Sequence, residues 1–188
     1  FRRIDPRRSR IVLVEAGPRI LPTFHQHLAA GVHRRLEQMG VEVRCGAPVE
    51  LVDGRGVRIG GERIDAGVVL WTAGVQPSPA ASWLGATADR AGRVRVEADL
   101  SLPGRPEVFV IGDVAAKEQD GRQLPGVAQV AIQGGQHAGR TIAARVSARR
   151  APGSFRYFNK GDMAVVGRNF AILERGGWRV AGLFAWLA

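Results

Sequence analysis

The sequence predicts an α/β protein: a parallel sheet with flanking helices, a β-meander, and a small antiparallel region at the C-terminal end. Three observations carry that expectation. Arg10-Ile11-Val12-Leu13-Val14-Glu15 is a short apolar run that ends on a carboxylate, the pattern of a strand buried on both faces of a parallel sheet. A helix-period segment and a second alternating run follow it at once, which makes a strand–helix–strand unit. Further on, Val108-Phe109-Val110-Ile111 stops at Gly112-Asp113, and after a polar loop the period becomes helical from about Val127 to Arg149.

Taken in order, residues 1–9 read as a basic loop and Gly17-Pro18 breaks the first strand. Thr23 with Gln26 three residues on forms a capping box. Phe24, Leu28, Val32, Leu36 and Met39 make the apolar stripe of the helix, and Gly40 ends it. Val41 to Arg44 alternates as the second strand. A meander is expected over Ala47–Val52, Gly56–Ile59 and Arg63-Ile64, turned by Gly54 and Gly60-Gly61. Ala66 to Trp71 reads as another buried strand, Ala80 to Leu84 as a helical turn, and Arg93 to Val96 as an edge strand. In the long helix, Val127, Ala131, Gly134, Ala138, Ile142 and Val146 form the inward stripe. Phe155–Phe158, Met163–Val166, Ala171–Leu173 and Trp178–Val180 read as short antiparallel strands, before an apolar end at Gly182–Ala188.

The composition bounds the function. Lys and Arg number 27 against 17 Asp and Glu, a net charge of +10. The charge is scattered in pairs such as Arg34-Arg35 without an aromatic-interleaved stripe, which argues against nucleic-acid binding and leaves a solvated basic surface or attraction to an anionic membrane. Cys45 is the only cysteine, so no internal disulfide is available. His25, His27, His33 and His137 do not cluster with it, and no metal site is expected. The chain begins at Phe1 and reads as a piece of a longer protein.

Four places carry candidate chemistry. Glu15, at the end of the first strand of a strand–helix–strand unit, suits either a carboxylate for dinucleotide ribose hydroxyls or a solvated strand end. Ala73 and Gly74, after the Ala66–Trp71 run, suit either a close approach of backbone to a ring cofactor or a tight turn. Asp113 after four apolar residues is either a buried carboxylate that needs donor partners or an N-cap. Gln129 and Gln133 are spaced i, i+4 on one helix face, where they reach a carbonyl-bearing ligand or lie in solvent. Lys160 lies in Asn159-Lys160-Gly161-Asp162, a turn between apolar runs.

Together these residues resemble a known family. Val12-Leu13-Val14-Glu15-Ala16-Gly17-Pro18-Arg19-Ile20-Leu21-Pro22, Trp71-Thr72-Ala73-Gly74-Val75, Val108 to Asp113, and above all Ala128-Gln129-Val130-Ala131-Ile132-Gln133 are similar to the type II NADH:quinone oxidoreductases. The last stretch looks like the family's A-Q-x-A-x-Q signature. The resemblance implies an FAD/NAD(P)-binding Rossmann-like fold, present in part, and hydride transfer from NADH to FAD followed by electron transfer to a membrane quinone. It implies Glu15 on the NADH ribose, and Ala73 and Gly74 between nicotinamide and flavin. It also implies Gly112, Asp113, Ala128 and Gln129 on FAD, with Gln129 and Gln133 bordering the quinone pocket and Lys160 near the flavin.

On that resemblance, residues 1–75 belong to an NAD-binding domain, 76–150 to an FAD-binding domain, and 151–188 to a region leading to a membrane-anchoring segment. The protein is then expected as a peripheral enzyme on the cytoplasmic face of a bacterial inner membrane, possibly as a homodimer. Seven apolar residues at the end cannot span a bilayer. The alternatives are a ferredoxin, disulfide or sulfide:quinone reductase of the same superfamily, or a catalytically silent module that retains the fold.

Overall fold

The computed structural model describes Asp5 and residues 9–188; most of the loop expected over residues 1–9 lies outside them. The chain divides into two compact units, residues 1–72 with 161–188, and residues 73–160.

The first unit opens with β1 (Ile11–Glu15), α1 (Gln26–Gln38) and β2 (Val41–Cys45), and β1 pairs with β2 in parallel, Ile11 opposite Val41. The parallel crossover read from the sequence is therefore present. Helix α1 starts later than the Thr23 capping box predicts. Phe24 N–H donates to Leu21 O, and the Arg19 guanidinium donates to the carbonyls of Leu21, Pro22 and Phe24, so residues 21–24 are committed to a turn. His25 caps instead, its Nδ1 accepting from His27 N–H at 3.3 Å. The meander β3 (Val49–Asp53), β4 (Gly56–Ile59) and β5 (Glu62–Asp65) is antiparallel throughout, as expected.

The Ala66–Trp71 run is a correction. It forms no strand, and Val68, Leu70 and Trp71 are exposed, Leu70 at 81%. A buried strand needs a ladder partner on each side, and no strand among the described residues is laddered along this run.

The second unit contains α2 (Ala80–Leu84) and six short strands: β6 (Val94–Arg95), β7 (Ser101–Leu102), β8 (Arg105–Phe109), β9 (Ala115–Ala116), β10 (Glu118–Gln119) and β11 (Arg122–Gln123). It ends with α3 (Ala128–Val146) and an irregular stretch to Lys160. Strand β8 is antiparallel to β7, while β6 and β9 pair in parallel. The inward face of α3 differs from the expected stripe. Val130, Gly134, Ala138 and Thr141 are buried, whereas Ile142 is half exposed and Val146 is 83% exposed. Steps of four along a helix of 3.6 residues per turn drift by about 40° each, so a stripe built mostly on fours leaves the core. Phe155–Phe158 forms no strand either.

The last elements, β12 (Asp162–Val165), β13 (Ala171–Arg175), β14 (Trp178–Gly182) and α4 (Leu183–Leu187), return to the first unit. β13 is central and antiparallel to both neighbours. Its Ile172 is fully buried and packs with Ile20, Phe24, Leu28, Val32 and Val166 in one core. Glu174 of the same strand accepts from His25 N–H at 2.8 Å, tying β13 to the start of α1.

Candidate functional site in the second unit

Strand β8 delivers the chain to Ile111, still extended at φ −133° and ψ 163°. Gly112 then takes φ +69° and turns it into a single 3-10 turn, Gly112–Val114. That φ favours glycine, and space demands it as well: a Cβ at Gly112 would lie 3.2 Å from the Ala131 Cβ of α3. The turn swings Asp113 outward. The expectation of a buried carboxylate is thus corrected: Asp113 is exposed and lines a shallow pocket with Arg93, Lys117, Pro125 and Gly126. A Cβ on Gly126 would fall 3.4 Å from Asp113 Oδ1. The turn, the carboxylate and two glycines make a cradle that any larger side chain would fill.

Helix α3 begins beside this cradle. Val127 is its N-cap in extended conformation, no side chain caps it, and its first turn carries no acidic residue. The N-terminus of a 19-residue helix therefore presents its positive end with no capping side chain and no acidic residue of its own. Ala128, Gln129 and Gln133 lie in its first two turns, as read from the sequence. Both glutamines face the irregular stretch that follows α3. Gln129 Oε1 accepts from Lys160 N–H at 3.2 Å. Gln133 Nε2 donates to Phe158 O at 2.9 Å while its Oε1 accepts from Phe158 N–H at 3.0 Å. The structure thus brings Gly112, Asp113, Ala128, Gln129, Gln133 and Lys160 into one unit.

Glu15 belongs to the first unit, while Ala73 and Gly74 open the second. Glu15 ends β1 in the first unit and its Oε1 accepts from Gly17 N–H at 2.7 Å, closing the turn after the strand. Ala73 and Gly74 are exposed in irregular chain, Gly74 at φ +78°.

Sequence reasoning missed Gln119. It sits in the β10–β11 hairpin, beside the Asp120-Gly121 turn, and its amide engages Tyr157: Nε2 donates to Tyr157 O at 3.2 Å and Oε1 accepts from Tyr157 N–H at 2.8 Å. The signal was present, since Asp-Gly between two short runs is a hairpin mark. His137, on α3, has a shifted equilibrium. Burial holds its pKa below the usual imidazole value, its ring packs on Phe155 at 5.5 Å, and its Nε2 is buried with no hydrogen-bond partner among the described residues.

A strand end turning at glycine beside a helix N-terminus, in a chain that also carries a separate parallel strand–helix–strand unit, is a combination found in nucleotide-binding oxidoreductases. The chain belongs to the pyridine nucleotide-disulphide oxidoreductase family, whose model matches residues 6–135. Within it, the chain is similar to the type II NADH:quinone oxidoreductases NdhA and Ndh of Mycobacterium tuberculosis strain H37Rv, at 42% and 40% identity in alignments that take in the whole chain. The chain spans 42% of the length of each of these curated relatives. Its fold is similar to that of NDH2 from Plasmodium falciparum, solved in complex with NADH, with a TM-score of 0.80 at 14% identity over 94% of this chain and 53% of that one.

The residues present fit an FAD. The Gly112–Gly126 cradle leaves room for a ligand to approach backbone, the exposed Asp113 supplies acceptors for polyol hydroxyls, and the uncapped helix end suits an anion.

Proposed function

We propose that this chain forms part of a longer FAD-dependent oxidoreductase that takes a hydride from NADH and passes electrons to a membrane quinone. The observation that carries the reading is the convergence, within one unit, of the Gly112-Asp113 turn, the uncapped start of α3 and the Gln129–Gln133 face. The similarity to two named type II NADH:quinone oxidoreductases supports the choice of donor and acceptor.

Each residue has a stated task in this reading. Asp113 accepts from the ribitol hydroxyls, and Gly112 keeps the approach to them open. Ala128 and Gln129 place the positive helix end against the flavin edge, where it stabilises developing negative charge. Gln129, Gln133 and Lys160 border the quinone pocket. Glu15 binds the NADH ribose with the carboxylate edge left after Gly17 N–H is served, and its charge favours NADH over NADPH. Ala73 and Gly74 leave space beside the nicotinamide. Bound FAD supplies the hydride acceptor and the electron relay between the two substrates.

Residues 1–75 then serve the NAD-binding domain and 76–150 the FAD-binding domain. Residues 151–188 lead toward the cytoplasmic membrane face. For that last assignment the support is α4, whose Leu183, Phe184 and Leu187 are exposed, Phe184 at 80%, as suits an interfacial helix. No helix among the described residues is long and apolar enough to cross a membrane.

The test is quinone-dependent NADH oxidation by the full-length protein in detergent or liposomes. Turnover with a soluble quinone is the expected result. A yellow protein that consumes NADH but shows no quinone-dependent turnover overturns the reading.

A further inference from the structure

The stretch Phe155–Lys160 is neither helix nor turn and belongs to no sheet, and its backbone hydrogen bonds go to different partners at successive residues, the pattern of an extended chain. An extended chain points the N–H and C=O of one residue to one side and those of the next to the other. Here each side is met by side chains. On one side, the Gln119 amide exchanges both of its hydrogen bonds with Tyr157. On the other, the Gln133 amide does the same with Phe158, and Gln129 Oε1 takes the N–H of Lys160, two residues further on the same side. A carboxamide carries the same donor and acceptor as a peptide group, so it can occupy one position of a ladder.

The spacing on the helix is what allows this. Four helical residues rise about 6 Å, and two strand residues rise about 6.7 Å. Glutamines at i and i+4 of α3 therefore match residues j and j+2 of an extended chain lying along it, as Gln133 with Phe158 and Gln129 with Lys160 do. The start of the stretch is pinned separately. Phe155 N–H donates to Ala98 O at 2.9 Å, and its ring is buried with Leu100, Leu124 and Val130.

From this geometry we infer that Gln129 and Gln133 are positioning residues, which with Gln119 hold Phe155–Lys160 as a strand laddered by side chains. They thereby fix Phe158 and Lys160 as one wall of the acceptor site. The Gln133 amide gives one N–H and one oxygen lone pair to Phe158, so it shapes the pocket through that backbone. The ring of Phe158, 62% exposed, and the ammonium of Lys160 are the groups the wall presents. This inference rests on the acceptor site proposed above, and it extends the machinery to Gln119, which that reading does not use.

The experiment uses the full-length, flavin-loaded protein, as wild type and as Gln133→Ala, Gln133→Glu and Gln119→Ala. Amide hydrogen exchange is read residue by residue, alongside KM for a soluble quinone and the rate of flavin reduction by NADH. In Gln133→Ala the Phe158 amide is expected to exchange about tenfold faster, the factor for one lost hydrogen bond, with Ala138 to Ile142 unchanged. In Gln119→Ala the same change is expected at Tyr157. Both substitutions raise the quinone KM and leave flavin reduction unaltered. Gln133→Glu, which keeps an acceptor for Phe158 N–H and loses the donor to Phe158 O, falls between. Should Gln133→Ala not fold, Gln119→Ala and Gln133→Glu carry the same comparison. Unchanged exchange at Phe158 and Tyr157 overturns the inference, and so does a quinone KM that rises in Gln133→Ala but stays at the wild-type value in Gln119→Ala. If wild type turns over no quinone, the proposed function fails by itself, and the exchange rates still decide whether the side-chain ladder exists.

Discussion

Strand β13 and the stretch Phe155–Lys160 are both extended, and they are held in different ways. β13 has a backbone partner on each side, β12 and β14. Phe155–Lys160 has three glutamine side chains in place of strands. A backbone ladder is repetitive and tolerates most side chains, because it asks only for peptide groups. A side-chain ladder asks for particular residues at particular spacings, and each one can be deleted by mutation. The first arrangement suits a core element, and Ile172 at the centre of β13 is fully buried. The second suits the wall of a site, where one face has to stay open to a ligand.

The largest expected effect lies at the anchor of the side-chain ladder. Phe155→Ala removes a ring that is 5% exposed and is expected to cost about 3–5 kcal/mol, read as a shift of the urea midpoint. A loss below about 1 kcal/mol would mean that the stretch is not packed, and the comparison with β13 would fail.

The two regions also answer to pH in different windows. Glu174 of β13 is held below the usual carboxylate range, first by His25 N–H and then by Arg179. Its folded pKa is depressed, so its contribution is present above the unfolded value near pH 4.3 and is lost as pH falls through the folded one. The glutamines that clamp Phe155–Lys160 do not titrate; the titrating group beside them is His137, with Asp99 and Arg140 acting on its charge. Burial depresses its pKa, so its neutral form is favoured in the folded state. That contribution is complete above the unfolded value near pH 6.5 and is lost as pH falls below it. Thermal midpoints measured across pH should show both steps. Glu174→Gln is expected to reduce only the lower step, which Glu42, Asp53, Asp89 and Asp99 share through their own lowered pKa values, and His137→Phe to remove only the upper. A single variant abolishing both would contradict the assignment.

The smallest effect is expected where the stretch is held by charge alone. Arg156 pairs with Asp120 at 3.1 Å, with side chains 72% and 66% exposed. Arg156→Ala should change stability by less than about 0.5 kcal/mol. A larger change, with Tyr157 exchange accelerated, would move weight from the glutamines to the ion pair.

Much of the fold was legible because its signals are local. The β1–α1–β2 unit, the meander and the three C-terminal strands show in periodicity and in glycine-bearing turns such as Gly60-Gly61. What failed depended on partners. Ala66–Trp71 and Ile11–Glu15 look alike as apolar runs, yet only the second meets another strand. Phe155–Phe158 alternates like a strand, and nothing in its own residues says that its partners are side chains on α3 and on the β10–β11 hairpin. Asp113 was legible as a site residue but not as an exposed one, because Gly112 at φ +69° decides where it points. Gln129 and Gln133 were legible as a pair by their spacing; what that spacing matches became visible only with Phe158 and Lys160 in place.

The most direct test of the central claim, that Gln133 of α3 and the stretch it holds serve the acceptor and not the donor, is the pair of half-reactions in full-length Gln133→Ala followed by stopped-flow absorbance. The account predicts that flavin reduction by NADH keeps its wild-type rate while reoxidation by quinone slows by about tenfold, the factor for one hydrogen bond. Equal slowing of both half-reactions would contradict it and place Gln133 in the support of the flavin as a whole.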